Sequence, residues 1–202
     1  SFTERPFPVS RIAGIDTVRI GKAKHHIPIL AEIDVTVARA TISLRKKEAG
    51  EGLSFTGWVI RCVAQAASEH KRVHAMRLGR RKLVLFDDVD VNIVVQRMLA
   101  GSDPAETLPM PYVIRKANEK TVEAIHAEIR AAQAAALAPG EQTIGAAKKT
   151  PSARMIRFFA SLPRFVRNVS YWNRLLGDPF RVKRTMGTVS VTSAGMFGKV
   201  GG

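Results

Sequence analysis

The alternation of apolar and polar positions divides the chain into helix-like and strand-like stretches. Residues 1–27 show no clean period, and Pro6, Pro8 and Gly14 punctuate them, so an irregular segment is expected there. Pro28–Thr36 alternates, with Ile29, Ala31, Ile33 and Val35 on one face and Leu30, Glu32, Asp34 and Thr36 on the other, which predicts a half-buried strand. A helix is expected from about Val37 to Ala49, ended by Gly50 and Gly52. Ser54 can cap a helix over 54–70, in which Phe55, Trp58, Val59, Cys62, Val63, Ala66 and Ala67 recur at the spacing of one face. Lys82–Phe86 reads as a short strand and Asp87-Asp88 as a turn. Val89, Val91, Ile93 and Val95 alternate with Asp88, Asp90 and Asn92 in a strand over about 88–98. A loop over 100–110, a short strand at Tyr112–Arg115 and a helix from about Thr121 to Ala138 follow, the helix stopped by Pro139-Gly140.

From 141 to 184 the character changes. Aromatic and aliphatic residues (Phe158, Phe159, Phe165, Tyr171, Trp172 among them) interleave with basic ones, and Pro163 should break any helix. The pattern suggests an amphipathic helical pair with an Arg-rich side. Gly187–Ser193, rich in β-branched residues, reads as a strand. Strands alternate with helices without an internal repeat, so the fold class is α/β with a mixed sheet.

Composition narrows the classes. The 202 residues are 46% hydrophobic and 24% charged, which excludes a disordered tail. Cys62 is the only cysteine, which excludes a disulfide scaffold, and its place on an apolar stripe suggests a small buried hydrophobe rather than a nucleophile. No apolar run reaches the roughly 18–20 residues a membrane span needs, and no leader is recognisable, so a cytoplasmic protein is expected. The formal charge of +15 is unevenly spread. Arg77, Arg80, Arg81 and Lys82 form one cluster. A second stretch, Lys148 to Arg184, carries ten cations opposed only by Asp178. Such a field attracts anions without choosing among nucleic acid, acidic lipid and phosphorylated ligands.

A search by residue type finds no phosphate loop, no dinucleotide fingerprint and no nucleophile elbow. His25 and His26 are adjacent and would point to opposite faces of a strand. His70 and His74 read as a surface pair near a helix end. Neither these nor His126 has partners at ligand spacing, so no metal is expected.

The order of the segments carries a resemblance. Ile27-Pro28 with Glu32, Asp34, Val35 and Thr36 comes first, then Leu53-Ser54-Phe55-Thr56 opening a helix that ends in Glu69-His70. The strand Val89–Val95 follows, then Pro111-Tyr112-Val113-Ile114-Arg115-Lys116-Ala117 leading into Thr121-Val122-Glu123-Ala124-Ile125. Gly187-Thr188-Val189-Ser190-Val191-Thr192-Ser193-Ala194-Gly195 comes last. Together, over nearly the whole chain, these resemble the acyltransferase catalytic domain of 2-oxoacid dehydrogenase complexes, which shares its fold with chloramphenicol acetyltransferase. The resemblance implies a two-layer sandwich with a mixed sheet, incomplete at the C-terminus. It implies one domain over 1–202, with a basic helical insertion at about 141–184 that is not typical of the family.

The implied activity is transfer of an acyl group between coenzyme A, bound as a thioester substrate, and a thiol or hydroxyl acceptor. In the family, a hydroxyl on the strand matching 187–193 stabilises the oxyanion; aligned here it falls on Thr192. Ser190 shares the face of Thr192 by strand period, and Ser193 is expected to point the other way. The base is a histidine in a motif downstream of that strand. This sequence stops at Gly202 before any such motif, so the chain as written lacks its base: either the parent polypeptide continues, or this is a truncated and catalytically inactive copy. A homotrimer is implied, with no bound lipoyl group and no assignable coenzyme A ligands. The alternative is a degenerate, non-catalytic fold that holds a membrane or acidic partner through 148–184. Nucleic acid is disfavoured, since no recognised motif supports it.

Overall fold

A computed structural model describes residues 2, 4, 10–49, 53–98, 107–135 and 153–193. The framework is a sheet of three strands in the order β4-β3-β5, where β3 is Val91–Met98, β4 is Thr107–Ile114 and β5 is Val189–Val191. β3 and β4 are antiparallel, with Val91 opposite Ile114 and Met98 opposite Thr107. β5 runs parallel to β3, with Val91 opposite Val189 and Ile93 opposite Val191, so the sheet is mixed. A parallel return needs a long crossover. It is supplied by helices α4 (Val122–Ala134), α5 (Ala153–Ser161), α6 (Arg164–Arg167), α7 (Asn173–Leu176) and α8 (Pro179–Met186). A π-helical turn, Asn168–Trp172, joins α6 to α7.

The core lies between this sheet and two helices, α3 (Phe55–Glu69) and α4. The predicted alternation of β3 holds: Val89, Val91, Ile93 and Val95 are buried and join Ile60, Ala64 and Ala67 of α3, Ile114 of β4, and Ile125 and Ile129 of α4. Each buried Ile or Val contributes roughly 1.5–3 kcal/mol relative to exposure. Both helices start where the sequence provides caps. The Ser54 hydroxyl accepts from Gly57 N at 3.0 Å, and the Thr121 hydroxyl from Ala124 N at 3.2 Å. Asp178 caps α8 in the same way, with Pro179 in its first turn.

Several expectations are corrected. Residues 28–35 join no sheet among the described residues, and Thr36 already belongs to a helix. Asp34 instead caps helix α2 (Thr36–Ala49), accepting from Thr36 N at 2.9 Å, and Ile29, Leu30 and Ile33 face outward. The stretch 1–27 is not wholly irregular, since Ser10–Lys22 forms α1. Thr107–Met110, expected in a loop, belongs to β4, while 99–106 lie outside the described residues. A short hairpin, β1 (Met76–Leu78) with β2 (Lys82–Val84), presents Arg77, Arg80, Arg81 and Lys82 to solvent around Gly79 (φ +62°).

The buried face of α3 is Gly57, Ile60, Ala64 and Ala67, rotated from the predicted stripe, and Cys62 is exposed. The reason is the close approach of α4: a Cβ on Gly57 would sit 3.0 Å from Ser54 Oγ and 3.6 Å from the Val122 carbonyl. Small residues face the neighbouring helix, and Phe55 and Trp58 stack on each other at 5.5 Å beneath the Arg39 guanidinium of α2. His74 is buried in a 3-10 turn, Lys71–His74, while His70 caps α3 and is exposed, so they form no surface pair. In the basic segment Pro163 does interrupt the helix. The result is a succession of short helices rather than a pair, and Arg167 points inward.

Candidate functional site

The site is built at the end of β5, and Asp90 determines where that end lies. Its carbonyl accepts from Thr188 N at 2.7 Å and Val189 N at 3.2 Å. Its buried carboxylate accepts from Lys116 N and from Arg115 Nη1, each at 2.9 Å. Arg115 in turn donates to the Lys183 carbonyl at 2.9 Å and to the Arg184 carbonyl. One buried acid thus joins the end of β4, the last turn of α8 and the start of β5. Gly187 makes this junction possible. Its φ is +72°, and a Cβ there would lie 2.6 Å from the Asp90 carbonyl oxygen.

β5 leads into a hollow of about 280 Å³. Its walls come from four directions: Ser54 and Thr56 at the start of α3, Ile93–Gln96 of β3, Pro109 of β4, and His126, Ile129, Arg130 and Gln133 of α4. Val191, Thr192 and Ser193 close it. The α4 residues follow the i, i+3, i+4, i+7 spacing of one helical face. The lining is mainly apolar with a few convergent hydroxyl, imidazole and guanidinium groups, as small-molecule sites are.

Thr192 is exposed and lines this hollow. Ser193 lines the same hollow, contrary to the strand-period expectation. β5 ends at Val191, so alternation no longer applies two residues on. Ser190 remains in the strand, within 3.5 Å of Asn92 Nδ2, and does not line the hollow. His126, Arg130, Ser54 and Thr56 were not singled out for the site. The helical period of α4 was a usable signal, but nothing in the sequence says which side of the helix borders an opening. The Arg77–Lys82 cluster is not part of the hollow.

A second, smaller hollow of about 190 Å³ lies between α1 and the α6–π segment. Beside it, Arg167 donates to Asp16 from Nε at 2.7 Å and from Nη2 at 3.1 Å. The pair is nearly sealed, Asp16 being 4% and Arg167 8% exposed. The hydrogen bond from Arg167 holds the Asp16 carboxyl below the usual carboxylate range. Among the described residues, no group of three or more His, Cys, Asp or Glu is placed to hold a metal, and no helix is long and apolar enough to cross a membrane.

The architecture is that of the acyltransferase catalytic core of 2-oxoacid dehydrogenase complexes. A probable dihydrolipoamide acetyltransferase from Listeria monocytogenes matches over 100% of this chain and 68% of its own, at TM-score 0.55 and 24% identity. The truncated catalytic core of the 2-oxoacid dehydrogenase multienzyme complex from Thermoplasma acidophilum matches over 65% of this chain and 57% of its own, at TM-score 0.50 and 20% identity. The dihydrolipoamide acetyltransferase of Azotobacter vinelandii, whose study concerned a serine, a histidine and an asparagine in its catalytic mechanism, matches over 66% and 55%, at TM-score 0.51 and 18% identity. The chain thus spans little more than half the length of two of these proteins and about two thirds of the third. No protein-family model and no curated protein sequence matches it.

Proposed function

We propose that this chain is the greater part of a coenzyme A-dependent acyltransferase, and that acyl transfer takes place in the hollow at the end of β5. The observation that carries the reading is the position of Thr192, which borders a mainly apolar hollow with a hydroxyl that no described side chain or backbone group engages. The acceptor thiol or hydroxyl loses its proton to a base and attacks the thioester carbonyl carbon. The carbonyl oxygen takes the negative charge, and Thr192 donates a hydrogen bond to it. When the tetrahedral intermediate collapses, the carbon–sulfur bond to coenzyme A breaks, and the departing thiolate takes up the proton. The family's base-bearing histidine motif is not among these 202 residues. We assign that role to no histidine here, although His126 borders the same hollow.

The 202 residues form one domain in this reading, with 141–184 inserted between α4 and β5. Coenzyme A is substrate rather than resident cofactor, and the acceptor need not be the dihydrolipoamide of the structurally similar proteins. We read the assembly as a homotrimer and the protein as cytoplasmic. The exposed apolar segment around Leu30 supports the first.

The test is release of free coenzyme A from short acyl-coenzyme A thioesters, with small thiol and alcohol acceptors, using protein purified from its native source. Thr192→Ala is expected to lower kcat by about 10²–10³ and Thr192→Ser to restore most of it. No turnover by the native protein on any thioester would favour the alternative, a non-catalytic fold that holds a membrane or acidic partner. Unchanged kcat in Thr192→Ala would remove Thr192 from the chemistry.

A further inference from the structure

The smaller hollow and the helix beside it form a second surface with its own chemistry. Arg19 of α1 and Arg164 of α6 flank the opening, and Asn168 and Trp172 complete its wall. Neither Arg19 nor Arg164 has a hydrogen-bonded or salt-bridged carboxylate among the described residues. Asp16, also at the wall, is already neutralised by Arg167 through two hydrogen bonds. The hollow therefore presents the Arg164 guanidinium, the Arg19 guanidinium, whose charge also acts on Asp16, and the Asn168 amide, over an acid already paired with Arg167, which suits a phosphate-sized anion. Immediately beside Arg164 in α6, Phe165 is 76% exposed, and its neighbour Val166 and, in the π-helical turn that follows, Val169 are also exposed.

We propose that this face docks peripherally on a membrane containing anionic phospholipid, with a headgroup phosphate seated between Arg19 and Arg164 and the Phe165–Val169 face inserted at the acyl boundary. Cations beside inserted aromatic and aliphatic side chains define an interfacial helix. Two observations select this occupant. Valine side chains offer no stacking surface to a nucleic acid base, whereas they partition into hydrocarbon. A second copy docked here through the same face would set its own Arg19 and Arg164 against these two like charges. The surface shares no lining residue with the Thr192 hollow, so it stands whether or not acyl transfer does.

The experiment is co-sedimentation of the full chain with phosphatidylcholine vesicles, with and without phosphatidylglycerol, across a salt series. Binding to the phosphatidylglycerol vesicles is expected to exceed binding to phosphatidylcholine by at least about tenfold and to fall with salt. The double variant Arg19→Glu/Arg164→Glu is expected to lose about tenfold or more. Arg80→Glu/Arg81→Glu, which removes the same net charge from the distant hairpin, is expected to lose much less. Phe165→Ser is expected to weaken binding while leaving its salt dependence intact. Far-UV circular dichroism shows that each variant is folded, and Arg19→Gln/Arg164→Gln replaces any charge reversal that is not. Equal binding to both vesicle types, equal losses in the two double variants, or no effect of Phe165→Ser would overturn the proposal. So would inorganic phosphate that shifts Trp172 fluorescence in a Trp58→Phe background while vesicles leave it unchanged. That result would identify a site for a soluble phosphate.

Discussion

At the scale of single residues, burial separates groups that look alike in sequence. His74 is buried beside Lys183 and Lys71, and burial first, then the Lys183 charge, pushes its pKa below the ordinary 6.5, against a weaker opposing contribution from the Ala67 backbone. The folded state therefore prefers neutral His74. Its contribution to stability is complete above the unfolded pKa and is lost as pH falls from about 6.5 toward the depressed folded value. Unfolding free energy measured in urea should decline as pH falls below about 6.5 in the native sequence, and the decline should be shallower in His74→Asn. The Asp16–Arg167 pair gives a larger effect. Asp16→Asn leaves a guanidinium buried without its counter-charge, which costs about 3–5 kcal/mol. The carboxylate's depressed pKa means that its stabilisation is present above about 3.8 and disappears as pH falls through the lower folded value. A urea midpoint unchanged by Asp16→Asn at neutral pH would show that the pair holds nothing together. Neither burial was visible in the sequence, because a charged residue carries no sign of a partner 151 positions away.

At the scale of elements, local pattern sufficed wherever an element buries one face within its own chain. The alternation Val89–Val95 and the cap Ser54 gave β3 and α3 nearly at their observed bounds, and Thr121 marked the start of α4, which ends at Ala134 rather than Ala138. Pattern failed where burial depends on a distant contact. α1 docks partly through buried Asp16, a polar residue in the middle of what should be an apolar stripe, and so it read as irregular. α3 turns Gly57 and its alanines inward, because helix proximity favours small residues over large apolar ones. The same distinction holds for the site. Segment order points to Thr192 as the candidate, whereas the wall formed by His126 and Arg130 exists only once α4 packs on β3. The Gly187 junction is the element on which the position of Thr192 depends. Gly187→Ala combines a left-handed φ with a 2.6 Å clash against the Asp90 carbonyl, for an expected loss of about 1–3 kcal/mol. Because Thr192 lies five residues downstream, the variant should also lower kcat more than it alters KM, whereas Gly79→Ala, with open space around it, should change stability but not turnover.

At the scale of the whole molecule, the segment 25–35 indicates what the single chain leaves unfinished. Its sequence alternates as a strand's does, yet it pairs with no described strand, and Leu30 is 99% exposed, with Ile27, Ile29 and Ile33 also projecting. Four such side chains, if buried, would contribute roughly 6–12 kcal/mol at 1.5–3 kcal/mol each, which is of the same order as the roughly 4–15 kcal/mol that association costs, so a stable assembly needs further contacts beside this segment. Exposed apolar residues so closely spaced mark an interaction surface rather than ordinary solvent-facing chain. The homotrimer reading places this segment against a neighbouring copy. Such a contact is compatible with the strong net charge if the facing surface is apolar rather than part of the Arg-rich face. Sedimentation equilibrium should then give about three times the 22.1 kDa chain mass. Leu30→Asp should shift the distribution toward monomer, because one anchor is lost and a charge is placed at its site, while Arg80→Glu on the hairpin should leave the mass unchanged. A native chain that sediments as a monomer at every concentration would refute the trimer. A trimer that survives Leu30→Asp would instead move the interface away from this segment.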